Sequence, residues 1–213
     1  MIRDSREASN LKGIGYLVAP AVLTTLECSA LGATLPSVCG SGTRMILQDT
    51  NVQAVVPRLR SHPILSALLT DLVAVQCTYF RKTQAHNWSL RVHRDALVPL
   101  SGRGAWETVA CKEGQSFVRP PPEFLRRCLA LRLNLDDALE GDLRIVPRSW
   151  NNEQKFTNAD AISVKVPQGG ALLFRPTAAH GSAKLIRARQ RRVLHFLFAP
   201  RNVPAPYRWP LTL

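Results

Sequence analysis

A chain of 213 residues, 46% apolar and 20% charged, is long enough to bury a core and excludes disordered and collagen-like classes. Its net charge of +13, with the densest run at Arg187, Arg189, Arg191 and Arg192, suits an anionic small molecule; with no basic repeat, aromatic platform or nucleic-acid motif, no nucleic-acid partner is expected. The apolar stretch 16–35 is broken by Pro20, Glu27 and Cys28, so neither a membrane span nor a secretory signal is expected and the protein reads as cytoplasmic; Cys28, Cys39, Cys77, Cys111 and Cys128 lack zinc-site spacing and read as reduced, mostly buried thiols.

In chain order, residues 17–72 read as helical. Val22, Leu23, Leu26 and Ala30 recur at helical spacing, 52–60 continues the pattern across an interruption at Pro57, and Leu65, Leu68 and Leu69 share one side of a third segment. After Leu72 the texture changes to short runs rich in Val, Leu, Phe and Tyr, separated by Gly, Pro and Asn. Candidate strands are 73–80, 88–93, 128–135, 143–146, 161–166, 171–174 and 192–199. Pro120, Pro121 and Pro122 form a stiff loop, and Gly169 and Gly170 a tight turn. The expectation is one domain spanning 1–213: mainly β with helices (α+β), helical over about 17–72 and a β sandwich or barrel over about 73–200.

Alternation along 87–95 puts Trp88, Leu90 and Val92 on one face and Asn87, Ser89, Arg91, His93 and Asp95 on the other. The second face is too charged to be an ordinary core, so it borders solvent or a polar cavity. His93 and Asp95 form an H-x-D pair, two-thirds of the facial triad of non-haem iron oxygenases; alone such a pair arises easily as a salt bridge or loop pair. His180 supplies the missing histidine. Arg191 follows eleven residues later at the start of the last strand. A 2-oxoglutarate co-substrate chelates iron through its keto acid and needs a fixed cation for its distal carboxylate, which a forked guanidinium suits. Alternation places Arg191, Val193 and His195 opposite Arg192, Leu194 and Phe196. Arg191 is taken as the inward anchor, with Arg192 as its competitor.

These residues, in order, resemble the phytanoyl-CoA dioxygenase family of Fe(II)/2-oxoglutarate oxygenases. The resemblance rests on Gln76 to Phe80, Lys82, Asn87-Trp88, His93-Arg94-Asp95, Pro120-Pro121, Leu131 to Asp137, Gly141 to Ser149, Gly170 to Pro176, His180-Gly181-Ser182 and Arg191 to His195. It implies a double-stranded β-helix (jelly-roll) core with the N-terminal helices packed on it. It also implies iron ligands His93, Asp95 and His180, and a distal-carboxylate site at Arg191 assisted by Ser182. Asn87 and Gln76 would line the co-substrate pocket. The implied reaction uses Fe(II), 2-oxoglutarate and O2 to hydroxylate a small molecule, releasing succinate and CO2. Because Asp95 is present, hydroxylation or another oxidation is expected rather than halogenation. The Gly-Ser-His common after the L-R-V-x-P segment is replaced by Arg148-Ser149-Trp150, a departure that touches loop contacts.

Other candidates have plainer readings beside the functional ones. Arg132 and Asn134 share a face that lines either the cavity or the core, and Arg91 meets either an anionic substrate or a local acid; all three are carried as substrate candidates. His195 reads as a core histidine beside the site, His62 as a helix end, His86 as a surface loop residue, and Asp136 and Asp137 as a turn. Trp88 reads as packing. Phe117 and Arg119 read as a surface loop, with a substrate lid as the rival. Two alternatives stay open for the whole chain: a cupin-like metalloprotein without 2-oxoglutarate, and a non-enzymatic basic binding protein.

Overall fold

The computed structural model describes residues 6–38, 40–137, 142–187 and 190–213. Cys39, Gly141 and Arg189, singled out above, lie outside them. Helices α1 (Arg6–Gly13), α2 (Thr25–Thr34), α3 (Thr50–Gln53), α4 (Val55–Ser61) and α5 (Ser66–Leu69) come first, with strands β1 (Tyr16–Ala19) and β2 (Gly42–Thr43) among them. Strands β3 (Leu72–Thr83), β4 (Leu90–His93), β5 (Val98–Pro99), β6 (Glu107–Lys112) and β7 (Gln115–Arg119) follow, then helix α6 (Pro122–Leu125). Strands β8 (Leu129–Asn134), β9 (Leu143–Ile145), β10 (Ile162–Ser163), β11 (Ala171–Phe174), β12 (His180–Ser182) and β13 (Gln190–Pro200) complete the architecture.

Antiparallel pairing builds a six-stranded sheet in the order β1-β11-β8-β13-β3-β2, a four-stranded sheet β10-β9-β12-β4, and a three-stranded sheet β5-β7-β6. The large sheet is two-sided by simple alternation. Its outer face carries Tyr79, Leu131, Leu133, Leu173, Leu194 and Phe196, buried beneath Leu31, Val55, Leu59 and Leu69 of the helices. On the inner face the register sets Arg191 beside Lys82, Val193 between Phe80 and Asn134, and His195 between Thr78 and Arg132. Farther along that face, Ala130, Leu172 and Phe174 pack against Leu143 and Ile145 of the four-stranded sheet, so the two sheets face each other. The three-stranded sheet closes one end through Val98, Val118, Phe124 and Tyr207.

Several expectations change. Residues 17–19, read as helical, belong to the edge strand Tyr16–Ala19 paired with β11; a short apolar run carries no period that separates strand from helix, and the open sheet edge decides. Leu26 is 82% exposed, because α2 buries Cys28 and Leu31 instead. Pro57 leaves α4 intact, since it sits in the first turn, where its missing N–H has no helical partner to lose. Of 161–166, strand β10 takes Ile162–Ser163 alone. The region around Phe117 and Arg119 is the β6–β7 hairpin, turning at Glu113 and Gly114 with φ 52° and 76°. Phe117 is buried there, and Arg119 pairs with Glu107 at 2.8 Å. Cys28, Cys77 and Cys128 are buried free thiols, whereas Cys111 is exposed. Among the described residues, no helix is long and apolar enough to cross a membrane.

Candidate metal centre

Strands β4 and β12 are neighbours, and their register sets His93 opposite His180. That approach requires Gly181, where a Cβ would stand 2.5 Å from the Leu90 carbonyl oxygen. Asp95 follows β4, its N–H held by the Pro176 carbonyl at 3.0 Å. The ligand-capable atoms of His93, Asp95 and His180 all lie within 4.8 Å of one another. His93 Nε2 is 3.5 Å from Asp95 Oδ1, and His180 Nε2 is 3.6 Å from Asp95 Oδ2. Each ring is oriented from behind: His93 Nδ1 donates to the Arg91 carbonyl at 2.9 Å, and His180 Nδ1 to the Ala178 carbonyl at 2.8 Å. A carbonyl only accepts, so each neutral ring carries its proton on Nδ1 and turns a bare Nε2 toward the carboxylate, the tautomer that ligates a metal.

Burial pushes the Asp95 carboxyl up, but the surrounding imidazoles of His180, His93 and His195 outweigh it and hold it well below the usual carboxylate range. Burial lowers His180, with Asp95 opposing. At His93 burial also acts downward, yet Asp95 and the Arg91 carbonyl raise it overall. Two imidazoles and one ionised carboxylate in so small a volume form a donor set for a divalent transition metal that leaves positions open.

Arg94, between the two residues of the H-x-D pair, ties them to the neighbouring loops. Its Nε donates to the Thr177 carbonyl at 2.9 Å, and its Nη2 reaches the carbonyls of Ser149, Asn152 and Gln154 at 3.0 to 3.1 Å. Its guanidinium lies over the Phe156 ring at 5.3 Å.

Beside the triad, the inner face gathers three buried cations: Lys82 at 0% exposure, Arg132 at 4% and Arg191 at 3%. Lys82 Nζ donates to Ser182 Oγ at 3.0 Å and to the Ala183 carbonyl at 2.6 Å, and lies 5.0 Å from the Trp88 ring centroid. Arg132 Nε and Nη2 and Arg191 Nε and Nη1 are buried without a hydrogen-bond partner. Burial, then Arg191 and Arg132, push the Lys82 ammonium down to about 7. Burial lowers Arg191 to about 10 against the charges of Asp142 and Asp136. Asp142, 6% exposed, is the carboxylate acting on both arginines, and burial raises its own carboxyl. Buried, mutually repelling cations with unmet donors are costly unless an anion joins them.

The remaining candidates fall at different distances from this centre. Arg192 occupies the outer face, where its guanidinium and N–H bind Asp136 at 2.6 to 3.2 Å; Asp136 is thus the outer partner of Arg192 as well as the start of a turn. His195 Nε2 comes within 3.8 Å of Asp95 Oδ2, and burial pushes that imidazole down to about 4. Gln76, half-buried on the inner face, donates to Thr78 Oγ1 at 3.1 Å. Asn87 is committed to Leu185, donating to its carbonyl and accepting from its N–H, both at 2.8 Å. Asn134 donates to the Val166 carbonyl at 2.8 Å. Arg91 is exposed on β4, and Leu90, placed on a packing face by alternation, is 43% exposed. Trp88 takes the cation contact with Lys82. His62 caps α4 and contacts the Pro20 carbonyl at 2.8 Å, and His86 is exposed. Sequence reasoning assigned no role to Lys82, Asp142 or Arg94; the available signal for Lys82 was its even spacing from Gln76 along one strand.

No protein-family model matches the sequence, and no curated protein matches it. Solved structures do match in fold. HygX from Streptomyces hygroscopicus, with nickel and 2-oxoglutarate bound, superposes with a TM-score of 0.64 at 18% identity, covering 92% of this chain and 87% of that one. AviO1 from Streptomyces viridochromogenes Tue57 gives 0.61 at 19% identity over 97% and 100% of the two chains. The epimerase SnoN, in complex with Fe3+, alpha ketoglutarate and nogalamycin RO, gives 0.62 at 15% identity over 97% and 92%.

Proposed function

We propose that this chain is an Fe(II)- and 2-oxoglutarate-dependent oxygenase, a single domain on a double-stranded β-helix core, that hydroxylates a small molecule, with an anionic one favoured by the chain's excess of arginine. The observation that carries the reading is the convergence of His93, Asp95 and His180 from separate segments, both rings held with Nε2 toward one carboxylate. The shared fold with metal- and 2-oxoglutarate-bound structures supports it. The chain's donors fit the group: two imidazole nitrogens and an ionised carboxylate for the metal, and buried guanidinium donors without partners for a dicarboxylate.

When bound, iron, 2-oxoglutarate and O2 supply the oxidation of a C–H bond, with succinate and CO2 as co-products. The chain's own work is placement. His93, Asp95 and His180 would hold the metal on one side, leaving the other for co-substrate and substrate. Arg191, with Ser182 and Lys82 next to it, would receive the distal carboxylate. Phe80 and Phe174 flank His195 on the inner face, their ring centroids 6.2 and 5.8 Å from its own. Arg91, exposed two residues before His93, would meet an anionic group on the incoming substrate.

The test is succinate release from the purified protein with Fe(II), 2-oxoglutarate and O2, together with metal affinity by calorimetry. His93→Ala and His180→Ala should each abolish turnover and weaken metal binding at least about a hundredfold. Turnover surviving in His93→Ala would overturn the ligand assignment. Turnover indifferent to Arg191→Ala would favour a metalloprotein that needs no 2-oxoglutarate. Salt-sensitive nucleic-acid binding without iron-dependent chemistry would favour a basic binding protein. Because SnoN is an epimerase, product analysis decides between hydroxylation and inversion of a stereocentre.

A further inference from the structure

We propose that Arg132 is a second guanidinium of the co-substrate pocket, gripping the keto-acid end of 2-oxoglutarate while Arg191 grips the distal carboxylate. This rests on the oxygenase reading and deepens it by assigning each end of the dicarboxylate to its own arginine.

The placement follows from sheet register. Arg132 lies in the same row of the inner face as His195, whose Nε2 is 3.8 Å from Asp95. Arg191 lies four residues along β13 from that row, about 13 Å on an extended strand, beside Lys82 and one sheet away from Ser182. One arginine therefore stands level with the metal ligands and the other at the far end of the same face. Both side chains are at least nine-tenths buried, and each has two nitrogens without a partner. Two buried guanidiniums on this face, each with donors left without a partner, complement a ligand that carries a carboxylate at each end.

A structural role for Arg132 is poorly supported, because its buried donors hold nothing in the described protein. A guanidinium that served packing alone would be better replaced by an apolar side chain.

The experiment uses the full chain loaded with Ni(II) in place of iron, titrated by calorimetry with 2-oxoglutarate and with 2-oxovalerate, which keeps the keto acid but ends in a methyl group. Arg132→Gln should weaken both ligands by a similar factor, on the order of tenfold to a hundredfold. Arg191→Gln should weaken 2-oxoglutarate alone, toward the affinity of 2-oxovalerate. Anaerobic Fe(II) protein gives a second readout: at saturating 2-oxoglutarate, Arg132→Gln should shift the visible metal-to-keto-acid absorption band, and Arg191→Gln should leave it in place. Arg132→Gln should unfold at or above the wild-type temperature, and Arg132→Lys should recover part of the affinity. Loss confined to 2-oxoglutarate in Arg132→Gln would move Arg132 to the distal end and overturn the proposal, as would unchanged binding of both ligands. A wild-type protein that binds Ni(II) but neither keto acid would instead sink the oxygenase reading beneath it.

Discussion

Lys82 sits in an environment far from what water would give it. It is fully buried, its ammonium held by Ser182 and the Ala183 carbonyl, with two arginines on the same face. Burial first, and those cations second, lower it from an ordinary value of 10.5 to about 7. Between those values the unfolded chain carries the proton and the folded chain does not, so unfolding takes up a proton and stability rises with pH. The slope reaches up to about 1.4 kcal/mol per pH unit within that window. Urea denaturation near pH 6.5 and near pH 9.5 should therefore find Lys82→Met more stable than wild type at the lower pH, by a margin that closes at the higher. A wild-type advantage at the lower pH would mean that the lysine's hydrogen bonds outweigh its burial. None of this was readable residue by residue. Lys82 becomes part of a site only once β3 is registered against β13 and β12 crosses opposite.

At the scale of elements, the sequence announces those that carry a period and conceals those too short to have one. Strand Ala171–Phe174 falls where its Gly169-Gly170 turn and apolar run place it. Gly169 has φ +74°, and a Cβ there would stand 1.9 Å from the Leu23 carbonyl oxygen; Leu23 in turn donates to the Gly169 carbonyl at 3.0 Å. Gly169→Ala should thus cost more than the roughly 1–3 kcal/mol of an ordinary left-handed strain, read as a shift in denaturation midpoint. A loss below about 1 kcal/mol would show that the turn can open without disturbing the entry to α2. Helix α2 starts with a capping box, Thr24 and Glu27 exchanging hydrogen bonds at 2.7 and 3.2 Å, a T-x-x-E pattern present in the sequence. Strands β1 and β12, four and three residues long, have no such mark. The β6–β7 hairpin hides because its turn is Glu-Gly rather than Asn-Gly or Asp-Gly.

For the whole molecule, the legible part was the order of chemistry along the chain: helices, then β structure, then the spaced His93, Asp95, His180 and Arg191. Convergence in space was expected only through the family resemblance, because the pattern along the chain does not say which strands become neighbours. The large sheet separates two tasks by alternation: its outer face packs mainly apolar side chains beneath the helices, while Lys82, Arg132 and Arg191 lie on the inner one. The combined variant Lys82→Met, Arg132→Met, Arg191→Met should accordingly melt above wild type while losing keto-acid binding, the trade expected where a site keeps unpaired charges in a core. A lower melting temperature would mean that Asp142, left without its cations, dominates the balance. Arg94 has a mechanical consequence as well. One guanidinium is tethered to carbonyls at 149, 152, 154 and 177 and stands between His93 and Asp95 at a single strand end. That segment can swing only by dragging His93 and Asp95 along with it, so on the proposed reading anything entering or leaving the centre has to pass by some other door.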